Sequence, residues 1–348
     1  MGDDDILILK ASDVVSLLAG REREIINKVR VAYEAHARGE TSLPHSVFLN
    51  FADKPRDRII ALPAYLGGSN QVTGIKWVAS FPGNLAMGLD RASAILILNS
   101  STTGRPKVIL EGSVISTKRT AASAALAAQW LFPEGQIPRP GLIGCGLINF
   151  EIVRFLMEIW PVMRSLVIFD LHSGRASRFK QKCQDLFDGI EVEIVSDVRS
   201  VLTRASLVSL ATTAPKPYIF DLSECAPGSV LLHVSLRDLA PEIILSCDNI
   251  VDDVDHVCRA QTSVHLTEQQ VGNREFIRCT LAAITLRAAQ PRRDAQSIAV
   301  FSPFGLGILD LAVGQLVYEL AIGQKRGMLI DSFLPDPWDQ EPGSRDSV

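Results

Sequence analysis

The period of the apolar positions changes twice along the chain. In the first forty residues they recur three and four apart, so "SDVVSLL" and "REREIINKVRVAYEAHARG" predict two helices. Ser12 or Asp13 is placed to cap the first helix, and Gly39 to end the second. From Ser42 to Glu111 the runs shorten to "VFLNF", "RIIALPAYL", "TGIKWVASF", "ASAILILNS" and "KVILEG". These are strand-like, and the polar "SSTTGRP" between the last two predicts an antiparallel hairpin. Helices followed by such a sheet predict an α+β unit.

The alanine-rich "STKRTAASAALAAQWLF" predicts a further helix, and "PEGQIPRP" reads as a linker. Beyond Pro140, "GLIGC", "SLVIFD", "VEIV", "LVSLAT" and "VLLHVS" are short apolar strands separated by helix-length segments. That alternation predicts βαβ units in a doubly wound parallel sheet, an α/β fold of Rossmann type. After Phe301, "FSPFGLGILDLAVGQLVYELAIGQ" offers a glycine turn and a long helix outside the alternating pattern, so it is assigned to the first unit. The expected division is therefore 1–120 with 301–335 as one discontinuous domain, 121–300 as the parallel-sheet domain, and 336–348 as a mobile tail.

Composition narrows the partners. The 348 residues are 47% hydrophobic and 21% charged, enough for a sizeable core in two domains. A net charge of −4 with no Lys/Arg block argues against nucleic acid or an anionic membrane. Six cysteines without C-x-x-C spacing suggest a reduced chain with buried thiols. "MGDDDILIL" opens on three aspartates rather than a basic leader, and apolar runs such as 121–132 are too short to span a bilayer. The expected location is the cytoplasm.

The stretch with the most chemistry is "GLIGCGLINFE". An apolar strand precedes Gly144 and Gly146, a helix-periodic segment follows, and the next strand ends in Asp170, 24 residues after Gly146. Gly144 permits a tight turn, and Gly146 lets the backbone approach a pyrophosphate. The N–H groups opening the helix at Leu147, Ile148 and Asn149 meet its charge. Asp170 is placed to accept from a ribose diol and repels a 2′-phosphate. NAD is thus expected over NADP, although Arg175 in "HSGR" offers a 2′-phosphate partner. Asn149 stands where a third glycine is usual, implying wider helix–strand packing or a polar contact from its side chain. A plain strand-to-helix turn without nucleotide is the alternative. Ala211, Thr212 and Thr213 open "ATTAPKPYI" at the end of the expected fourth strand. They suit a nicotinamide-ribose crevice, or form an ordinary proline-punctuated loop.

Five stretches, "TGIKWVASFPGN", "KRTAASAALAA", "GLIGCG", "VSLRDLAPEIIL" and "FSPFGLGILDLAVG", resemble the ornithine cyclodeaminase/mu-crystallin family over about residues 5–325. "LPAYLGG", "HVSLRDL" and "FSPFGLGILDL" are similar to its N-(2-amino-2-carboxyethyl)-L-glutamate dehydrogenase branch. The resemblance implies an NAD-dependent oxidoreductase acting on a CH–NH donor. It implies a homodimer in which the discontinuous domain serves substrate binding and dimerisation. It also implies a glycine loop that often lacks the third glycine. Lys76 in "GIKW" would sit by the substrate carboxylate, Arg119 in "KRTAAS" would bind it, and Asp238 in "SLRDLAPE" would handle the amine or the attacking water. Phe304 and Gly305 of "FSPFG" join the expected cofactor contacts. The implied reaction releases 2-oxoglutarate and L-2,3-diaminopropionate, a precursor of siderophores and peptide antibiotics.

Without the resemblance, Lys76 on a β-type segment and Arg119 near a helix start read as solvent-facing. Ornithine-acting relatives carry an arginine near "SLPHSVFLN", where this chain has His45. That puts ornithine in doubt and fits a substrate with more than one carboxylate, with His45 touching it; a strand histidine contacting its neighbours is equally compatible. Competing readings are an ornithine cyclodeaminase, an alanine dehydrogenase or ketimine reductase, and a non-enzymatic nucleotide-binding protein of crystallin type. "DDVDH" (252–256) reads as a solvated acidic loop rather than a metal site, and none is expected. His233 reads as a hydrogen-bonded core histidine.

Overall fold

The structure is a computed structural model that describes residues 4–68, 71–335 and 338. Its helices are α1 (Ala11–Leu18), α2 (Glu22–Ala37), α3 (Ser113–Leu131), α4 (Leu147–Ile159), α5 (Ser173–Leu186), α6 (Val198–Arg204), α7 (Pro241–Ser246), α8 (Val254–Val257), α9 (Ser263–Val271), α10 (Leu281–Thr285) and α11 (Gly307–Gln324). The strands of the first half are β1 (Ile6–Leu9), β2 (Thr41–Ser42), β3 (Val47–Phe51), β4 (Lys54–Leu66), β5 (Val72–Ser80), β6 (Ala92–Asn99), β7 (Pro106–Glu111) and β8 (Pro140–Ile143). Those of the second are β9 (Ser165–Phe169), β10 (Glu191–Ile194), β11 (Leu207–Leu210), β12 (Val230–His233), β13 (Asp248–Val251), β14 (Ile277–Thr280), β15 (Ala299–Ser302) and β16 (Met328–Ile330). The chain divides into two compact units: Met1–Gly20 with Glu40–Ser116 and Asp310–Val348, and Arg21–Gly39 with Thr117–Leu309.

The first unit holds a mostly antiparallel sheet in the order β16-β1-β7-β6-β5-β4-β2, with β3 also on β4. The predicted hairpin is β6–β7. Alternation along β6 buries Ala94, Leu96 and Leu98 and leaves Ile95 exposed. The part of α11 in this unit covers the buried face. Gly314 lets it close in, because a Cβ there would lie 2.8 Å from Leu96 Cδ2. The other face is apolar and open, with Val47, Leu49, Trp77 and Ile95 between 42% and 64% exposed.

The second unit is the doubly wound domain, with eight parallel strands in the order β10-β9-β8-β11-β12-β15-β13-β14. Strand order reverses between β8 and β11, so a crevice opens beyond their carboxyl ends. The strands β8, β11 and β12 are buried on both faces, which explains their unbroken apolar runs. Gly141 brings α6 close to β8, since a Cβ there would meet Val201 and Ala205 at 2.5 and 2.7 Å.

The structure departs from the sequence reading in several places. Helix α2 belongs to the second unit, because its buried stripe of Ile25, Val29, Ala32 and Tyr33 packs there and the Tyr33 hydroxyl pairs with Ser123 Oγ at 2.7 Å. The boundary expected at 301 falls at 309, because β15 pairs with β12 and β13 inside the parallel sheet. Strands β13, β14 and β15 widen that sheet from the five predicted to eight, and β1 is a further strand that the sequence pattern does not predict. Lys10 occupies the N-cap position of α1 with no side-chain cap bond, and Asp13, inside the first turn, accepts the Lys10 N–H at 3.0 Å. The expected tail, 336–348, lies outside the described residues except for Trp338.

Candidate active site

In the second unit, β8 runs into the glycine loop and α4. Gly144 adopts φ +93°, and a Cβ there would meet the Ala211 carbonyl at 2.5 Å, so only glycine fits both the turn and the approach to the loop after β11. Gly146 differs: a Cβ there meets nothing within 4 Å. Glycine here leaves space in front of the α4 N-terminus, which has no side-chain cap. An open concavity faced by free helix N–H groups is what a pyrophosphate requires, so these residues fit a dinucleotide. Leu147 is exposed and Ile148 half-buried at the same helix start.

The Asn149 side chain makes its polar contacts inside the protein. It is 0% exposed, and its Nδ2 donates to the carbonyls of Ile143 and Gly144 at 3.1 and 2.6 Å. Its Oδ1 accepts from Ser209 Oγ at 2.7 Å. The amide therefore stitches the end of β8 to α4 and β11, and its hydrogen-bonding capacity points into the protein. Asp170, at the end of β9, accepts from the N–H of Cys145 and of His172, each at 2.9 Å. Arg175 stands 3.7 Å from its Oδ2. Asp170 thus braces the loop, and its carboxylate keeps lone pairs free for further donors. Burial first, then the Asp170 charge, pushes the Cys145 thiol up to about 12, so this loop cysteine stays neutral.

Beyond β12 the chain turns sharply, with Leu236 in the left-handed region at φ 66°, and delivers Asp238 to a fully buried position. Its Oδ1 takes the Thr212 hydroxyl and its Oδ2 the Ser235 hydroxyl. Beneath it, His233 Nε2 accepts the Asp238 N–H at 3.1 Å and lies 3.3 Å from Oδ2, while its Nδ1 faces Ser302 Oγ at 3.3 Å. Burial alone would raise the Asp238 carboxyl. The neighbouring His233, Ser235 and Thr212 outweigh it and hold the group below the usual carboxylate range. Tyr218, in the same loop as Thr212, is raised by burial and then by the Asp238 charge, so its phenol remains a donor. Ala211 and Thr212 are half-buried at this edge, and Thr213 is exposed.

Arg119 lies on α3 with its guanidinium against the backbone of Gly305, where a Cβ would stand 2.7 Å from Nη1. Gly305 has φ +92°, and Asp252 clamps this turn by accepting the N–H of Phe304 and Gly305 at 2.9 and 2.7 Å. The "DDVDH" stretch is therefore not a solvated loop. Asp252 is 1% exposed, and Asp253 holds His36 Nε2 at 3.0 Å and His256 Nδ1 at 2.8 Å. Among the described residues no group of three or more His, Cys, Asp or Glu is placed to hold a metal ion.

In the first unit, Lys76 is buried rather than solvent-facing. Its Nζ donates to Asp310 Oδ2 at 2.6 Å and to Ser116 Oγ at 3.2 Å. Ser116 lies on α3 three residues before Arg119, one turn of the same helix. His45 sits exposed in the coil between β2 and β3, not on a strand. Asp310, Tyr218 and Ser302 join the site without having been singled out in the sequence, and Asp252 joins it as a clamp instead of a solvated residue. Buried partners of a charged residue far away in sequence leave no local signal, although an aspartate inside the apolar "GILDLAVG" was a hint.

The pattern of the ornithine cyclodeaminase/mu-crystallin family matches residues 5–325. The chain belongs to that family. Among family relatives, the N-((2S)-2-amino-2-carboxyethyl)-L-glutamate dehydrogenase of Staphylococcus aureus is 25% identical over 335 residues, 94% of this chain and 99% of that one. The Δ1-pyrroline-2-carboxylate reductase of Thermococcus litoralis, solved with NADH and L-proline, superposes with a TM-score of 0.86 at 24% identity, covering 93% of this chain and 99% of that one. An archaeal alanine dehydrogenase, solved as a dimer with bound NAD, gives a TM-score of 0.83 at 26% identity over 94% of this chain and 99% of that one. These family relatives are dehydrogenases or reductases, in line with the expected oxidoreductase class and the expected fold.

Proposed function

We propose that the chain is an NAD-dependent oxidoreductase acting on a CH–NH bond, and that it oxidises and hydrolyses N-(2-amino-2-carboxyethyl)-L-glutamate. The products are L-2,3-diaminopropionate and 2-oxoglutarate. The observation that carries this reading is the buried Asp238 carboxylate, kept ionised and ringed by hydroxyls beyond the carboxyl end of β12. Bound NAD supplies the hydride acceptor. Loss of hydride from the glutamate α-carbon leaves positive charge on nitrogen, and a fixed carboxylate stabilises that charge as it develops. A group held below the usual carboxylate range is a weak base, so Asp238 acts first by charge and then by orienting the water that attacks the imine carbon. Arg119 and Lys76 serve as carboxylate-binding cations, the former through its planar fork. Gly144, Gly146 and the α4 N-terminus hold the pyrophosphate, and Asp170 the adenosine ribose.

The apolar face of the first sheet supports a homodimer, since Val47, Ala61, Trp77 and Ile95 form one row across four strands. No described helix is long and apolar enough to cross a membrane, and we place the enzyme in the cytoplasm, supplying 2,3-diaminopropionate for siderophore or peptide assembly. The likeness to the archaeal alanine dehydrogenase favours a second reading, simple redox chemistry on a smaller amino acid. Incubating N-(2-amino-2-carboxyethyl)-L-glutamate with NAD separates them: absence of stoichiometric NADH and 2-oxoglutarate sinks the first reading. Ammonia without net NADH marks a cyclodeaminase, and NADH from alanine marks the second reading.

A further inference from the structure

Two arginines of the first unit, Arg58 and Arg91, take no part in the chemistry described above. Register sets Arg58 on β4 opposite Ser80 on β5, and Ser80 opposite Ala92, the residue after Arg91. Arg91 Nη1 donates to Ser80 Oγ at 2.7 Å, and Ser80 is itself buried. The Phe81 N–H donates to the Arg91 carbonyl at 2.8 Å, so the main chain fixes Arg91 independently of its side chain. Both guanidiniums are partly buried, and Arg58 Nε is shut off from solvent with no hydrogen-bond partner. Among the described residues, neither arginine has an ion-pair partner. Burial lowers the pKa of both, and for Arg91 the charge of Arg58 lowers it further.

Two like charges gathered in a partly buried place, one with an unused N–H, leave an electrostatic debt that an anion relieves. We propose that Arg58 and Arg91, the latter braced by Ser80, form a carboxylate-binding subsite that holds a further carboxylate of the substrate. The assignment rests on the proposed function in taking a substrate with several carboxylates. A planar carboxylate accepts from the forks of two guanidiniums, which suits it better than a single point charge does. Lys76 lies four residues before Ser80 on β5 and therefore on the same sheet face, about 13 Å away along the strand. Alanine, with one carboxylate, gives such a subsite nothing to hold.

The test is calorimetric titration of the NADH-loaded enzyme with 2-oxoglutarate and with pyruvate, its monocarboxylate counterpart. The wild type should bind 2-oxoglutarate at least about tenfold tighter, and Arg58→Gln and Arg91→Gln should each abolish that preference while leaving pyruvate and NADH binding unchanged. Equal affinity of the wild type for the two acids overturns the subsite without any variant. So does a preference that survives both substitutions. Should Arg58→Gln fail to fold, Arg91→Gln decides, because the Arg91 main chain is held without its guanidinium. Dissociation of an oligomer in the variants, with the preference intact, would assign the arginines to an acidic side chain of a second copy and also overturn the proposal. The outcome is separable from the reaction itself. An arginine-dependent preference with no turnover of N-(2-amino-2-carboxyethyl)-L-glutamate keeps the subsite and rejects the proposed function. Turnover with an arginine-independent preference does the reverse.

Discussion

Replacing Asn149 by glycine restores the full Gly-x-Gly-x-x-Gly pattern, and on motif grounds alone it should be neutral or helpful. The structure predicts the opposite. The substitution removes two buried Nδ2–H···O bonds, to Ile143 and Gly144, and the acceptor of the Ser209 hydroxyl. Each such bond contributes about 1 kcal/mol net, and buried groups left unpaired raise the cost, so about 3 kcal/mol is expected. Glycine inside a helix adds a few tenths, roughly 0.3 kcal/mol relative to asparagine. Ser209→Ala alone should cost about 1 kcal/mol and should be non-additive with Asn149→Gly, because the two share a bond. Urea unfolding at fixed protein concentration, without nucleotide, measures all three variants. NAD affinity should fall modestly as the loop loosens. A variant within about 0.5 kcal/mol of wild type, or one whose only defect is NAD binding, would refute the structural role and return Asn149 to the cofactor.

Three further outcomes are expected. Lys76→Met removes the cation beside the buried Asp310 carboxylate and should destabilise by about 3–5 kcal/mol in the same unfolding assay, whereas Lys76→Met with Asp310→Leu should recover most of that loss; equal losses in both would show that the pair is not coupled. At Asp253, burial would raise the carboxyl, but hydrogen bonds from His256 and His36 more than offset it and leave the group far below its ordinary value. Its stabilising effect is therefore present above about pH 4 and disappears as pH falls below the carboxylate range, so Asp253→Asn should flatten the acid side of a thermal-stability profile. An unchanged acid slope would contradict this. Asp170→Ala should weaken NAD binding more than NADP binding, since the ribose diol loses its acceptor while repulsion of a 2′-phosphate is relieved; unchanged NAD affinity in a direct titration would show that this contact was misread.

How much of this could be read from residues alone depended on the range of the interaction. The strands β8, β11 and β12 are buried on both faces, so their runs of apolar residues announced a parallel sheet directly. The positions of Gly144 and Gly146 were equally plain, because turn and helix start are adjacent in sequence. Helix α2 carries an amphipathic pattern that says only that one face is covered. Its partner, Ser123, is 90 residues away, so its unit was misassigned. The same limit hid the partners of Lys76 and the clamp of Asp252 on Gly305, separated by 234 and 53 residues. Charged residues read as exposed turned out to be buried because their partners came from elsewhere in the chain.

The central claim is that hydride leaves the glutamate α-carbon before water enters. Substrate deuterated at that carbon, incubated with NAD and this enzyme alone, tests it by mass spectrometry of the reduced nucleotide. One deuterium is expected in each NADH formed, with 2-oxoglutarate and 2,3-diaminopropionate in equal amounts. Undeuterated NADH, or ammonia released with no net reduction of NAD, would contradict it.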